Sequence, residues 1–523
     1  TVRASSRVGL RRPAPAVQPV LVRPGPQRLC RPVCMRRCAA ANLRLRSLQC
    51  RRLSSRSSTS PAVVFLVAGE ASGDVIGGRL MRALRNEYGG AIHFEGVGGD
   101  SMRAEGLASS LFPMSELSVA GFAEVLPSLP RIAARLVQTQ RAVRRAQPHV
   151  VVGIDSKGFN LRLLRSLAHR RAAAGRNGIP AAPVLVQYVG PSAWAFGDAD
   201  ARAARLRGGV DELLVLLPFE EALFRRAGVP ATFVGHPALD DVAIRGEPPG
   251  TAAERAAEAA AFRREVGLSP CAQVLCLLPG SRAQEVRAML PLLLRGAARL
   301  AERRRRGEAL SSRWAGLARG AADTHVRDTS TTCLGARPTG PIELVVPAAP
   351  GMRGEVDRIV LETLAARGTA GGGARCSVVG SGSRRAAFGA ADVAIAACGT
   401  VNLELAAAGV PQVAVYSTSW LTGFVIRRLL RPVLRHASLP NILAGRTLLT
   451  ELLFEDCTPC RIAEEADFLL ARPSLARAEA AQIRRLVLPS LRAVGDGGEP
   501  QLASRAAARA LLRHLPEAQT CTL

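Results

Sequence analysis

Val64 to Asp74, VFLVAGEASGD, restricts the fold of this chain more than any other segment. Four consecutive apolar residues, Val64 to Val67, run straight into a small-residue turn carrying two acids, Glu70 and Asp74. A short, fully apolar run closed by Gly predicts a buried parallel strand. The IGGRLMRALR that follows has the apolar spacing of a helix. Strand, Gly-bearing turn and helix together form the unit in which α/β proteins bind ligands, at the carboxyl ends of the strands. The turn is not the dinucleotide fingerprint G-x-G-x-x-G, so alone it says α/β enzyme and no more.

That unit repeats. Strands are predicted at Val63–Ala68, His93–Val97, Val150–Ile154, Val184–Tyr188, Glu212–Leu216 and Thr232–Val234. A second series follows at Val274–Leu278, Ile342–Val346, Cys376–Val379, Val393–Ala396 and Gln412–Tyr416. Helical stretches such as Arg131 to Gln147 lie between them. Alternating β and α over two halves predicts two doubly wound parallel sheets whose facing edges make a cleft. The expected organisation is a leader at 1–61, a first domain at 62–245 and a linker at 246–264. A second domain at 265–460 and C-terminal helices at 461–523 complete it. Residues 303–340, which begin RRRR and lose all periodicity, read as a surface insertion or disordered loop. Gly495 to Gly498, GDGG, reads as a break within the helical tail.

Composition matters mainly because it misleads. A net charge of +28 ordinarily suggests nucleic acid or an anionic membrane. Yet Lys157 is the single lysine, against 69 arginines, a skew that reads as biased codon usage rather than a basic binding face. No nucleic-acid partner is expected. Residues 1–60 hold 14 arginines, no Asp and no Glu, and are rich in Ser, Ala and Pro. That composition predicts an organelle transit peptide, mitochondrial in first place and plastid in second. The cysteines form no disulfide framework, and Cys457–Cys460 is a lone CxxC, so the folded part is expected in a reducing compartment. Leu405 to Ile426 carries no charge, but its Gly, Pro and Ser residues suit a strand, loop and helix start better than a membrane span.

Several turns carry residues able to do chemistry. Asp155 follows the predicted strand Val150–Ile154 and reads equally as a general base toward a hydroxyl or as a helix cap. Gly280, Ser281 and Arg282 end the first strand of the second half. Backbone N–H groups at a helix start and a guanidinium suit a phosphate there, against the alternative of a plain turn with a surface Arg. Gly399 and Thr400 follow Val393–Ala396 in the same manner, and Glu404 lies one turn into the next helix, as a ribose ligand or simply a first-turn acid. Asn441, in Ser438-Leu-Pro-Asn441, reads as a base or phosphate donor or, more readily, as a turn or helix-cap Asn. His236 in GHP reads as structural. No metal cluster and no cofactor motif appears.

Nine motifs stand in one order: AGEASGD (68–74), GVGGDSMRAEG (96–106), LSVAGFAEVL (117–126), GID…FN (153–160), GPSAWAF (190–196), LPFEEALF (217–224), LLPGSRAQEV (277–286), CGTVNLELA (398–406) and SLPNILAGR (438–446). In this the chain resembles the lipid A disaccharide synthase family, inverting glycosyltransferases of GT-B architecture with two Rossmann-like domains facing a cleft. The resemblance covers roughly residues 62 to 470. It implies transfer of 2,3-diacylglucosamine from UDP to the 6-hydroxyl of 2,3-diacylglucosamine 1-phosphate. The products would be a β-1′,6-linked disaccharide 1-phosphate and UDP, formed without a metal. Residue by residue it implies Asp155 as the essential acid and Arg282 as the donor-phosphate arginine. It places Gly280 and Ser281 in the same donor turn, and Gly399, Thr400, Glu404 and Asn441 near the nucleotide. Glu70, Ser72, Asp74, Ser192 and Trp194 are the acceptor-side candidates.

The chain departs from the family pattern at Lys157-Gly158, where members usually carry Pro-Asp, at Cys398 and Asn402, and at Gly190, where many have Ser. Acyl-bearing substrates imply peripheral membrane contact. Gly121 to Leu136 and Trp420 to Leu430 are the candidate interfacial segments, each also readable as a core-facing helix. A homodimer is a further expectation. Two rival functions stay open at this level: another UDP-sugar enzyme of the same fold, and a non-catalytic lipid- or nucleotide-binding remnant.

Overall fold

The computed structural model describes residues 61–117, 122–175, 183–240, 252–307, 340–365, 374–417, 435–495 and 497–517. The leader at 1–60, the Trp420 to Leu430 segment and residues 308–339 of the expected insertion lie outside the described residues.

The first half runs β1 (Ala62–Ala68), α1 (Ala71–Tyr88), β2 (Ile92–Val97), α2 (Asp100–Ala104), α3 (Phe122–Ala146) and β3 (Val150–Ile154). It continues through α4 (Lys157–Gly175), β4 (Val184–Tyr188), α5 (Ala199–Ala204), β5 (Glu212–Val215), α6 (Pro218–Arg226) and β6 (Ala231–Phe233). The strands form one sheet in the order β2-β1-β3-β4-β5-β6, and every pairing is parallel. Its central strand is apolar on both faces because helices cover both. Phe65 and Val67 pack with Val143 of α3 and Leu163 of α4, while Val64 and Leu66 pack with Leu80 and Leu84 of α1.

The second half runs α7 (Ala252–Glu265), β7 (Gln273–Leu278), α8 (Ala283–Arg305), β8 (Ile342–Pro347), α9 (Arg353–Ala365), β9 (Cys376–Val379) and α10 (Arg384–Ala390). Next come β10 (Val393–Ala397), α11 (Val401–Ala408), β11 (Gln412–Tyr416), α12 (Leu439–Ala444), β12 (Glu451–Leu453), α13 (Pro459–Ala471) and α14 (Pro473–Val487). These strands form a second, wholly parallel sheet in the order β12-β11-β10-β7-β8-β9. Two doubly wound sheets in one chain are the GT-B architecture.

Three features add to the sequence reading. β12 adds a strand beside β11 where no strand was predicted: Glu451-Leu-Leu opens on an acid and no Gly closes it. The connection expected at 246–264 contains the start of helix α7, and Phe262 packs onto Val274 and Val345 of the second sheet. The GDGG run does break the helical tail, between Val487 and Ala503. It turns a short hairpin, β13 (Ala493–Val494) against β14 (Pro500–Gln501), and delivers α15 (Ala503–Leu512) back to the first sheet. Asp240 fixes that return, accepting from the Ala503 and Ser504 N–H groups at 2.7 and 3.0 Å. Its carboxylate therefore caps the N-terminus of α15. Arg304, within the expected insertion, is likewise an anchor: its Nε donates to Asp467 of α13 at 2.7 Å.

The two sheets meet through an apolar cluster. Leu217 and Leu239 from the first half pack with Leu403, Ala406, Leu449, Ile483 and Leu491 from the second. Trp194 lies partly buried against the same cluster.

Candidate active site

A parallel sheet binds its ligand where neighbouring strands send their following loops to opposite faces, which leaves a crevice at the carboxyl edge. In the first sheet that point lies between β1 and β3, and in the second between β7 and β10. The loops leaving these four strands carry Glu70, Asp155, Arg282 and the Cys398-Gly-Thr turn. Strand order sets Glu70 beside Asp155 in one sheet and Arg282 beside the Cys398 turn in the other.

Asp155 sits on a strained backbone, with φ +48° at Asp155 and +36° at Ser156. Such conformations cost about 1–3 kcal/mol each and persist only where the surroundings enforce them. Buried amides enforce this one. Asn160 Nδ2 donates to the carbonyls of Val67, Ile154 and Asp155 at 3.1 Å, tying β1 to β3. Gln187 Nε2 donates to the Asp155 carbonyl from β4 at 3.0 Å. Both side chains converge beside Gly153, where a Cβ would stand 2.7 Å from Gln187 Oε1 and 2.8 Å from Asn160 Cβ. Val189, at the end of β4, also has positive φ, +72°. The Asp155 carboxylate is thus held by the backbone and is only partly buried.

Arg282 comes from the second sheet and crosses to the first. Its Nη2 donates to both oxygens of Glu70, at 3.2 and 3.0 Å. Asp155 is near enough to act on the same guanidinium electrostatically. Burial alone would lower the pKa of Arg282, but Glu70, Glu285 and Asp155 outweigh it and raise the value. Beneath the guanidinium, Glu285 Oε2 accepts from the Ser281 and Arg282 N–H groups at 3.2 and 3.4 Å. This carboxylate caps the start of α8, where an anion would bind. Gly280, at φ +121°, is required there, since a Cβ would stand 2.6 Å from Glu285 Oε2.

The second donor-side turn is looser. Thr400 is exposed at the start of α11, and the Gly399 N–H donates to Asn402 Oδ1 at 3.0 Å. Asn402, a departure from the family pattern, is fully buried and its Nδ2 donates to Gln412 Oε1 at 3.0 Å. Glu404 pairs with Arg384 at 2.6 Å, and that guanidinium lies 5.6 Å from the Phe388 ring centroid.

Two candidates prove to be structural. Asp74 is buried, and its carboxylate accepts from the N–H groups of Gly99, Ser101 and Met102 at 2.7, 2.9 and 3.1 Å. It caps α2 and does not face the crevice. Asn441 is fully buried; Nδ2 donates to Leu449 O and Glu451 Oε1, while Oδ1 accepts from the Leu448 and Leu449 N–H groups. All of its hydrogen-bonding capacity is used inside the protein, so it has nothing left for a nucleotide. Asn441→Ala would strand those buried partners. It is expected to cost about 2–4 kcal/mol of stability, read as a lower urea midpoint.

The remaining candidates have mixed settings. Ser72 is exposed on the first turn of α1, and Ser192 is partly buried in the turn before Trp194. Trp194 Nε1 donates to Glu220 at 2.8 Å, and Phe219 packs edge-on at 5.5 Å. Burial holds the Glu220 carboxyl above its usual range, against the hydrogen bond from Trp194. His236 is structural: Nδ1 accepts from the Ala238 N–H at 3.2 Å, and burial pushes the imidazole down to about 4. Among the described residues, no group of three or more His, Cys, Asp or Glu is placed to hold a metal ion. Sequence reasoning gave no role to Asn160, Gln187 or Glu285. The signal for Glu285 was an acid three residues past the turn, the spacing of a helix-start cap; Asn160 closes the GID…FN motif, and Gln187 had no signal beyond being polar within an apolar run.

Comparison with known proteins gives the family and the fold. The family model described as lipid-A-disaccharide synthetase matches residues 64–311 and 374–493. A lipid-A-disaccharide synthase of Rhodospirillum centenum is 38% identical over 452 residues, covering 86% of this chain and 94% of that protein. One from Paramagnetospirillum magneticum is 35% identical over 441 residues, covering 84% of this chain and 94% of that protein. Among solved structures, a protein assigned as a UDP-N-acetylglucosamine 2-epimerase from Listeria monocytogenes superimposes with a TM-score of 0.51. It covers 87% of this chain and 96% of its own at 13% identity, a likeness of fold alone.

Proposed function

The chain belongs to the lipid-A-disaccharide synthetase family, and from that premise we propose how its crevice performs the family's reaction. It is a glycosyltransferase that joins two acylated glucosamines into the lipid A disaccharide. The donor is UDP-2,3-diacylglucosamine and the acceptor is 2,3-diacylglucosamine 1-phosphate. Asp155 takes the proton of the acceptor 6-hydroxyl. That oxygen bonds to the anomeric carbon of the donor from the face opposite the leaving group. The bond from the anomeric carbon to the diphosphate oxygen breaks, and its electron pair leaves with UDP. Inversion of the α-linked donor to a β-linked product follows from that direction of attack. Arg282 and the N–H groups of Ser281 and Arg282 take up the charge gained by the diphosphate.

One observation carries this reading. Arg282 of the second sheet already reaches the acids of the first, bonded to Glu70 and within electrostatic range of Asp155. The donor diphosphate would replace the Glu70 and Glu285 carboxylates around this guanidinium and the amides beneath it. Both substrates carry acyl chains, so we further propose contact with a membrane surface. Leu129 and Val137 of α3 are exposed, and Arg131 lies on the same helix. No described helix is long and apolar enough to cross a membrane. The Arg-rich, acid-free composition of residues 1–60 supports import into a mitochondrion.

The test is direct. Purified protein given UDP-2,3-diacylglucosamine and 2,3-diacylglucosamine 1-phosphate is expected to release UDP and form the disaccharide 1-phosphate, in EDTA as well as without it. Non-acylated UDP-glucosamine donors should be poor substrates. Turnover of those donors with none of the acylated one would show a different UDP-sugar enzyme.

A further inference from the structure

We propose that Lys157 is the binding residue for the phosphate of the acceptor, and that it sets acceptor specificity in this chain. The inference rests on the assignment of Asp155 as base in the reading above.

Lys157 is the only lysine in a chain with 69 arginines. It lies two residues beyond Asp155, at most about 7 Å along the backbone. The intervening loop is fixed by Asn160 and Gln187, so the root of the lysine side chain is held at a set place relative to the base. A glucosamine 1-phosphate carries its 6-hydroxymethyl end and its phosphate end on the two carbons that flank the ring oxygen, a few ångströms apart. A cation on a flexible four-carbon stem beside the base can meet the second end while the base meets the first.

The ammonium is available for that contact. Lys157 is partly buried, and among the described residues it makes no hydrogen bond and no ion pair within 4 Å. Glu220 is close enough to feel its charge, but the Glu220 carboxylate is already committed to Trp194 Nε1 and to the Leu217 N–H at 2.8 and 3.1 Å. A half-buried cation without a bonded partner is unfavourable, and an anion with several acceptor oxygens relieves it. Two anionic substrates must also share the crevice. Arg282 holds the donor diphosphate from one sheet, so a separate cation on the other keeps the two phosphates apart. A compact ammonium with three donors suits a phosphate that must approach and leave.

The experiment compares two acceptors with the full chain: 2,3-diacylglucosamine 1-phosphate and the same sugar without phosphate. The wild-type protein should prefer the phosphorylated acceptor. Lys157→Met keeps the stem and removes the charge; it should lower kcat/KM for the phosphorylated acceptor about tenfold or more, mainly through KM. The same variant should leave the dephosphorylated acceptor and the donor KM unchanged. Lys157→Arg should recover much of the loss. A merely structural lysine, neutralising Glu220, would instead change the melting temperature and lower both acceptors alike. An unchanged preference in Lys157→Met, alongside an active wild-type protein, overturns this inference and leaves the functional reading intact. No turnover by the wild-type protein with either acceptor overturns both.

Discussion

Asp155→Asn is expected to leave the protein folded and to reduce kcat by roughly 100- to 10,000-fold, the usual contribution of a general base. Folding should survive because Asn tolerates the left-handed backbone that Asp155 adopts, φ +48°, better than most residues. The partners that hold the loop bond to the Asp155 carbonyl, which the substitution does not touch. KM for donor and acceptor should change little, since the lost interaction belongs to the transition state. The measurement is steady-state turnover with both acylated substrates, beside a thermal melt. Activity within tenfold of wild type in a well-folded variant would remove Asp155 from the role of base.

Arg282→Ala should be as damaging but through a different quantity. Removing the group that meets the leaving diphosphate is expected to lower kcat/KM by roughly 100- to 1,000-fold and to weaken UDP binding. Stability should hardly change. The Glu70 pair is lost, but Arg282 is about half exposed (48%), and exposed pairs contribute at most about 1 kcal/mol. Arg282→Lys should recover only part of the activity, because a point charge cannot grip two oxygens as a planar fork does. Titration calorimetry with UDP, beside steady-state rates, separates binding from turnover. Wild-type UDP affinity together with wild-type kcat/KM in Arg282→Ala would refute the donor-phosphate role.

How far the sequence could be read depended on what each residue was being asked to do. The strands were legible because long apolar runs closed by Gly have one good explanation in a parallel sheet: Val150–Ile154, Val184–Tyr188 and Gln412–Tyr416 appear with their predicted bounds. β12 was missed because it opens on Glu451 and no Gly closes its two leucines. Asp74 and Asn441 could not be assigned from the sequence, for a shared reason. A polar residue in a turn has the same letters whether it serves a ligand or a helix end, and only the N–H groups arriving from elsewhere decide it. For Asp74 they come from residues 99–102, and for Asn441 from residues 448–449. The GDGG break was legible, but its consequence, the return of α15 to the first sheet, was not, because it depends on Asp240 far upstream.

The sequence by itself determined the alternating α/β plan, the two halves and the turns that hold an acid in one and an arginine in the other. Those follow from local rules: burial on both faces makes an apolar strand, and small residues make the turns. Tertiary structure alone decided which turns meet. Strand order placed β1 beside β3 and β7 beside β10. Packing of Leu217 and Leu239 on α11 and α14 then set the two carboxyl edges close enough for Arg282 to reach Glu70. Pairing at that distance depends on loops separated by more than 200 residues, and no local pattern encodes it, because the energy that fixes it is spread over the interface between the sheets.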